Sequence, residues 1–264
     1  MIEKVKNYNY HDNSKKIEEE LEDELLIIIL YLLGKLKSIT NLTESSIEMI
    51  VAAFYIKYDD KIEKISKKNI EDITKLVEDL IKDIPENEDK TKNPKTLPKE
   101  DEKQNTKEAV YRIDKDGRPR LDRTKVIDQN IVDKYVNVEK GFVTLIVESI
   151  KNRYIELSIL ENNYTIAPEV LTAQTDAIEK AIRDKVFHFS QMTTISTIRE
   201  ILFSSIKKLG YSEYQWKTQG DDRVRPSHAK MNGKWVNFDK PPEVTGYYHV
   251  MEDWGCRCWA DAFR

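Results

Sequence analysis

Apolar positions in the first third of the chain recur at helical spacing, in three groups. Residues 25–33 form a continuous apolar run, "LLIIILYLL", preceded by the acidic stretch "EEELEDE", whose carboxylates suit the positive end of a helix. The run has nine residues, about half of the roughly 18–20 needed to span a bilayer, so it predicts a buried helix. A second group comprises Ile47, Ile50, Val51, Phe54 and Tyr55, and a third runs through Ile62, Ile65, Ile70, Ile73, Leu76, Val77, Leu80 and Ile81. Three helices are expected, forming a small bundle or one arm of a larger assembly.

Pro85 ends this pattern. Residues 86–108 hold a single large apolar side chain among prolines and charges, too little to offset the entropy of ordering, so they read as a flexible linker. "VYRIDKDGRPRLDR" follows, with Asp116-Gly117 as a turn between short extended runs and a slight excess of basic residues. It reads as a solvated hairpin or arm, with phosphate contact as the alternative. Helical periodicity then returns in three groups, around Phe142, Leu145, Ile146 and Ile150, around Val170, Ala177, Ala181 and Ile182, and over residues 196–209, with Gly210 as a left-handed stop. His188 is expected in the core with one ring nitrogen hydrogen-bonded.

Composition narrows the function classes. With 264 residues and 39% hydrophobic side chains the chain can build a real core, and at net charge −4 it has no overall basic field of the kind that marks a nucleic-acid binder. Residues 1–85 are acidic, with 13 Lys and Arg against 18 Asp and Glu. The amino terminus shows no apolar segment followed by a small-residue cleavage site, so a cytosolic location and no membrane association are expected.

After Gly210 the texture changes to short runs rich in aromatic residues, proline and glycine. All four tryptophans lie here, as do both cysteines, Cys256 and Cys258, with one arginine between them. That spacing disfavours a disulfide, because residues two apart reach disulfide geometry only with a strained backbone.

"WKTQGDDRVRPSHAKMNG", a proline pair and "HVMEDWGCRC" resemble the signature of the phage head morphogenesis proteins, minor head proteins with a Mu F-like domain. Trp216, Thr218, Asp222, Arg223, Arg225, His228, Gly233, Pro242, His249, Glu252, Asp253, Cys256, Arg257 and Cys258 fall in place. The resemblance is strong over residues 211–264 and looser over the helices before them. One departure is "HVMED", where a Pro-Gly commonly sits between the histidine and the acidic pair. The resemblance implies a non-enzymatic virion component, assembled in the host bacterial cytoplasm, that acts at the portal vertex in head building. It also implies partners among the portal protein and other capsid components, and a role in DNA packaging; with only dispersed Lys and Arg to displace counterions, any DNA contact is expected to be weak and without sequence preference.

Read from their chemistry alone, the same residues allow three arrangements. Arg223, Arg225 and Arg257 with Asp221, Asp222, Glu252 and Asp253 can form a bidentate network that ties the start of the motif to its end, the cysteines lying beside it as buried thiols. This reading needs no cofactor and is favoured. His228, His249, Cys256 and Cys258 can instead form a tetrahedral zinc set, although Cys-x-Cys is an awkward bite for one ion. In the third, His228 is a general base oriented by Asp222, with Arg223 or Arg225 holding a phosphate, as in a metal-independent or zinc-assisted nuclease or phosphodiesterase. That reading needs His228 open in a cleft, whereas the structural one needs it enclosed by tryptophans.

The fold expected is mainly α with a small C-terminal α+β domain. It has an acidic helical region (1–85), the linker (86–108), a basic arm and helical region (109–209) and the motif domain (210–264). Strands are predicted at residues 235–238 and 255–259.

Overall fold

The structure, a computed structural model, describes residues 10–39, 42–81, 111–113, 119–121, 127–208, 211–253, 256 and 258–261. The expected linker lies outside these residues, as do Gly210, Arg257 and the Asp116-Gly117 turn. Four long helices carry most of the chain: α1 (Tyr10–Lys37), α2 (Glu44–Ile81), α3 (Gln129–Asn163) and α4 (Pro168–Lys208). Between α2 and α3, strands β1 (Tyr111–Ile113) and β2 (Pro119–Leu121) pair antiparallel, Arg112 opposite Arg120. The C-terminal part holds β3 (Glu213–Lys217), the one-turn helix α5 (Pro226–Ala229), β4 (Trp235–Asn237), a 3₁₀ turn (Glu243–Thr245) and β5 (Trp259–Asp261). The protein is mainly α with a small α+β part near its C-terminus.

Two of the expected helix breaks are absent. Residues 47–55 and 62–81 belong to one helix, α2, because no glycine or proline interrupts residues 44–81 and the charged stretch 59–61 simply faces solvent. Residues 170–185 and 196–208 are likewise one helix, α4, uninterrupted by glycine or proline after Pro168. The start of α2 is a reciprocal cap. The Ser46 amide donates to Thr43 Oγ1 at 3.2 Å, and the Thr43 amide donates to Ser46 Oγ at 3.0 Å.

The chain divides into two compact units, one of residues 15–72 and 133–194, the other of residues 1–14, 73–132 and 195–264. In the first, α1, α2, α3 and the beginning of α4 share a single apolar core. The 25–33 run resolves into one face: Leu25, Ile28, Ile29, Leu32 and Leu33 are buried while Ile27 points outward. On α3 the buried stripe is Tyr135, Glu139, Val143, Ile146, Val147, Ile150, Tyr154 and Leu157, and Leu145 faces solvent. The Phe142 and Phe189 rings stack at 3.7 Å between centroids. His188, expected in the core, is exposed, because the neighbouring buried positions on α4 are Val186 and Ser190. Among the described residues no helix is long and apolar enough to cross a membrane.

Glu139 is the exception in its stripe, fully buried, with Oε1 accepting a hydrogen bond from Asn69 Nδ2 of α2 at 2.6 Å. Burial pushes its carboxyl up to about 8, against the opposing effect of the Asn69 bond. Folding therefore stabilises the protonated form.

In the second unit, β3 lies between β4 and β5 in an antiparallel sheet, with Tyr214 opposite Val236 and Trp216 opposite Ala260. β3, not among the strands expected, follows from the alternation of Tyr214 and Trp216, both buried, with outward Glu213, Gln215 and Lys217. β4 falls where a strand was expected. The last strand starts at Trp259, where the expected one ended, with Cys256 and Cys258 lying before it and outside any strand. Phe203, near the end of α4, packs on this sheet through Tyr214 and Phe238, at 5.1 and 4.8 Å between ring centroids.

The Glu139 carboxyl makes stability pH-dependent in a defined sense. The unfolded group ionises near 4.5 and the folded one near 8. Its favourable contribution is whole below pH 4.5 and is lost as pH rises to 8, on the order of 5 kcal/mol across the window. Glu139→Gln should remove this slope, so that the difference between wild-type and variant unfolding free energies grows from pH 5 to pH 8 in chemical denaturation. A constant difference across that range would show the carboxyl to be ionised in the fold.

Candidate functional site

The motif residues gather in the C-terminal unit around β3. Trp216 is fully buried at its centre, and its carbonyl accepts the Gly233 amide at 2.7 Å while its amide donates to Lys234 O at 2.8 Å. Gly233 has φ +79°, a left-handed conformation that a side chain would strain, which is why glycine ends the turn leading into β4. Asn232 Oδ1 accepts the Thr218 amide at 3.1 Å, closing the same turn from its other side. Pro226 starts α5 and brings His228 inward, with its imidazole edge-on to Trp216 at 5.2 Å between centroids.

His228 meets both cysteines. Its Nδ1 lies 3.5 Å from Cys256 Sγ and 3.6 Å from Cys258 Sγ, and all three residues are buried. The thiols are not joined in a disulfide. The Cys258 thiol, hydrogen-bonded to Cys256, holds the Cys256 pKa below the usual thiol range, and Cys258 is raised in return, chiefly by the same bond and then by burial. On the other side of the imidazole, Asp253 Oδ2 stands 3.6 Å from His228 Nε2 and 3.2 Å from Arg225 Nη1. Arg225, from the start of the motif, is thus paired with a carboxylate at its end.

His249, the fourth residue of the possible zinc set, is placed elsewhere. Its Nδ1 is 3.1 Å from Tyr214 Oη, and that hydroxyl accepts the Val250 amide at 3.2 Å. Burial lowers the His249 pKa, which favours the neutral ring. The His249 amide donates to Glu252 Oε2 at 2.7 Å, and Glu252 Oε1 pairs with Arg199 of α4 at 3.0 Å. Met251, within the "HVMED" stretch, takes φ +64°, a left-handed conformation in a residue other than glycine.

The other charged motif residues stand apart from this cluster. Arg223 pairs locally with Asp221 at 3.6 Å, on the surface, and Asp222 is exposed. Arg257 lies outside the described residues. The carboxylate beside His228 belongs to Asp253 and not to Asp222, and the histidine is 2% exposed, so the open His228–Asp222 pair of the hydrolytic reading is not formed. A groove of about 540 Å³ is lined by Arg199, Phe203, Lys207, Lys208, His249 and Glu252 among others. Its cations are already engaged, Arg199 with Glu252, Lys207 with Asp239 at 2.8 Å and Lys208 with Asp128 at 3.6 Å. Tyr214, Arg199 and Asn232 are not among the residues expected from sequence. The period-two pairing of Tyr214 with Trp216 is a signal that could have found the tyrosine; Arg199 and Asn232 carry no local signal.

Tyr214→Phe should lower stability by about 1–3 kcal/mol, because it strands the Val250 amide and the His249 ring inside the fold. Asp222→Asn, by contrast, should stay within about 0.5 kcal/mol of wild type in the same denaturation series. Equal effects of the two substitutions would contradict the placement of these residues.

Comparison with known proteins bears on the same region. An uncharacterized protein of Haemophilus influenzae (strain ATCC 51907 / DSM 11121 / KW20 / Rd) is 25% identical over 135 residues, 49% of this chain and 29% of that protein, so the chain spans under a third of its length. No solved structure matches. Residues 166–260 match the family model described as Phage Mu protein F like protein, a span running from the start of α4 through β5. The C-terminal part of the chain, which holds His228, Cys256 and Cys258, is similar to that family over these residues.

Proposed function

We propose that the protein is a minor component of a phage head, acting in head morphogenesis at the portal vertex. The observation that carries this reading is the Mu F-like match over residues 166–260, which extends beyond the motif to the whole of α4. The family is one of structural head proteins, and a non-enzymatic role agrees with a motif whose histidine and thiols are buried. The partners are the portal and other capsid components, met through the helices. Ile27 and Met49 on α1 and α2, Ile56 on α2, and Leu145 and Ile159 on α3 are all more than half exposed, an apolar surface suited to protein contacts.

A role in handling packaged DNA rests on local contacts, since the chain is net −4 and the cations around the groove are paired. Binding would be weak, blind to sequence and steeply reduced by salt.

Purified protein mixed with portal rings and, separately, with portal-free shells of the same phage tests the assignment by co-sedimentation. Binding to the rings and not to the shells is expected; equal recovery with portal-free shells, or recovery with neither, overturns it. Loss of the protein should leave particles that form but carry defective DNA content or delivery, and unchanged infectious yield would contradict a role in morphogenesis.

A further inference from the structure

We propose that His228, Cys256 and Cys258 bind one Zn²⁺ ion, through the imidazole Nδ1 and the two sulfurs, and that this ion fastens α5 to the segment leading into β5. The three donors lie within 4.8 Å of one another and all are buried. Zinc takes thiolate at about 2.3 Å and imidazole at about 2.0–2.1 Å, so tetrahedral angles put nitrogen and sulfur about 3.6 Å apart. The two nitrogen–sulfur separations here are 3.5 and 3.6 Å.

Hydrogen bonding alone accounts poorly for this arrangement. Nδ1 has one lone pair or one proton to offer and faces two sulfurs at almost equal distance. A cation at the centre of the three uses the Nδ1 lone pair and both thiolates at once. It leaves the proton on Nε2, a buried atom with no hydrogen-bond partner, which already faces the Asp253 carboxylate at 3.6 Å. A carboxylate behind a ligating histidine is the usual arrangement that fixes its tautomer, and Arg225 holds this carboxylate at 3.2 Å. Two adjacent buried thiolates repel one another, whereas with Zn²⁺ they make a site of zero net charge. Binding releases the thiol protons to solvent.

Sulfur and imidazole donors disfavour magnesium and calcium, and the tetrahedral spacing disfavours square-planar copper or nickel. Among the described residues the cluster offers three protein donors, and the fourth corner takes an oxygen ligand, water. His249 is excluded by its bond to Tyr214. Awkward as the Cys-x-Cys bite is, both sulfurs reach the same imidazole nitrogen at nearly equal distance. The role is structural, because the donors are 2–5% exposed.

The test uses the full chain, expressed without an affinity tag in zinc-supplemented medium, with elemental analysis and X-ray absorption at the zinc edge. About one zinc per chain is expected, with two sulfurs at about 2.3 Å and nitrogen or oxygen at about 2.0–2.1 Å. Cobalt substituted for zinc should give a sulfur-to-metal charge-transfer band that weakens by about half in Cys256→Ser or Cys258→Ser, as expected when one of two thiolate ligands is removed. His249→Gln should keep its zinc and His228→Gln should lose it. A folded protein with less than about a tenth of a zinc per chain after titration with zinc, or a metal shell without sulfur, overturns the proposal. The wild-type absorption measurement decides the matter even if the variants fail to fold.

Discussion

The small C-terminal sheet depends on one long-range contact, the meeting of His228 with Cys256 and Cys258 across 28 and 30 residues of chain. Strands of three to five residues cannot hold themselves together, and a segment of this size buries too little apolar surface to stand without a staple. Around the cluster, two polar links join the first half of this region to its end: Arg225 reaches Asp253, and Tyr214 reaches His249 and Val250, while Gly233 returns to Trp216 within the first half. Arg199 and Lys207 then tie the last turns of α4 to Glu252 and Asp239, beside the sheet.

The helical unit is held together differently. Its core is almost wholly apolar, and Glu139 with Asn69 places a single polar pair where a leucine would pack. Such a pair is worth less than the apolar contact it replaces, yet its Asn69–Glu139 hydrogen bond forms only when α2 and α3 are in one register. Outward-facing Ile27, Met49, Ile56 and Leu145 leave the same helices with apolar surface to offer partners, which fits a protein that works by assembling with others.

Much of this is legible in the sequence, and the misses have physical causes. Periodicity locates every long helix, because stripes such as Leu25, Ile28 and Leu32 admit no other regular structure. It predicts false breaks in α2 and α4, because a charged stretch such as 59–61 looks like a loop but is also an ordinary solvent face. His188 reads as a core residue from its apolar neighbours, but a shift of two residues on a helix turns a side chain away from the buried stripe. At the site, residue types and the motif are readable, and pairing is not. Nothing local distinguishes Asp222 from Asp253 as the carboxylate beside His228, nor marks His249 as the partner of Tyr214.

Hydrogen–deuterium exchange on the full chain, with zinc present and after a strong chelator, tests most directly whether the His228–Cys256–Cys258 cluster holds the C-terminal unit together. Protection at residues 213–217, 235–237 and 259–261 should fall together on chelation, while the amides of the core face around Leu25, Ile28 and Ile146 keep theirs. Unchanged protection in all three strands, with the metal shown to be absent, would contradict the account.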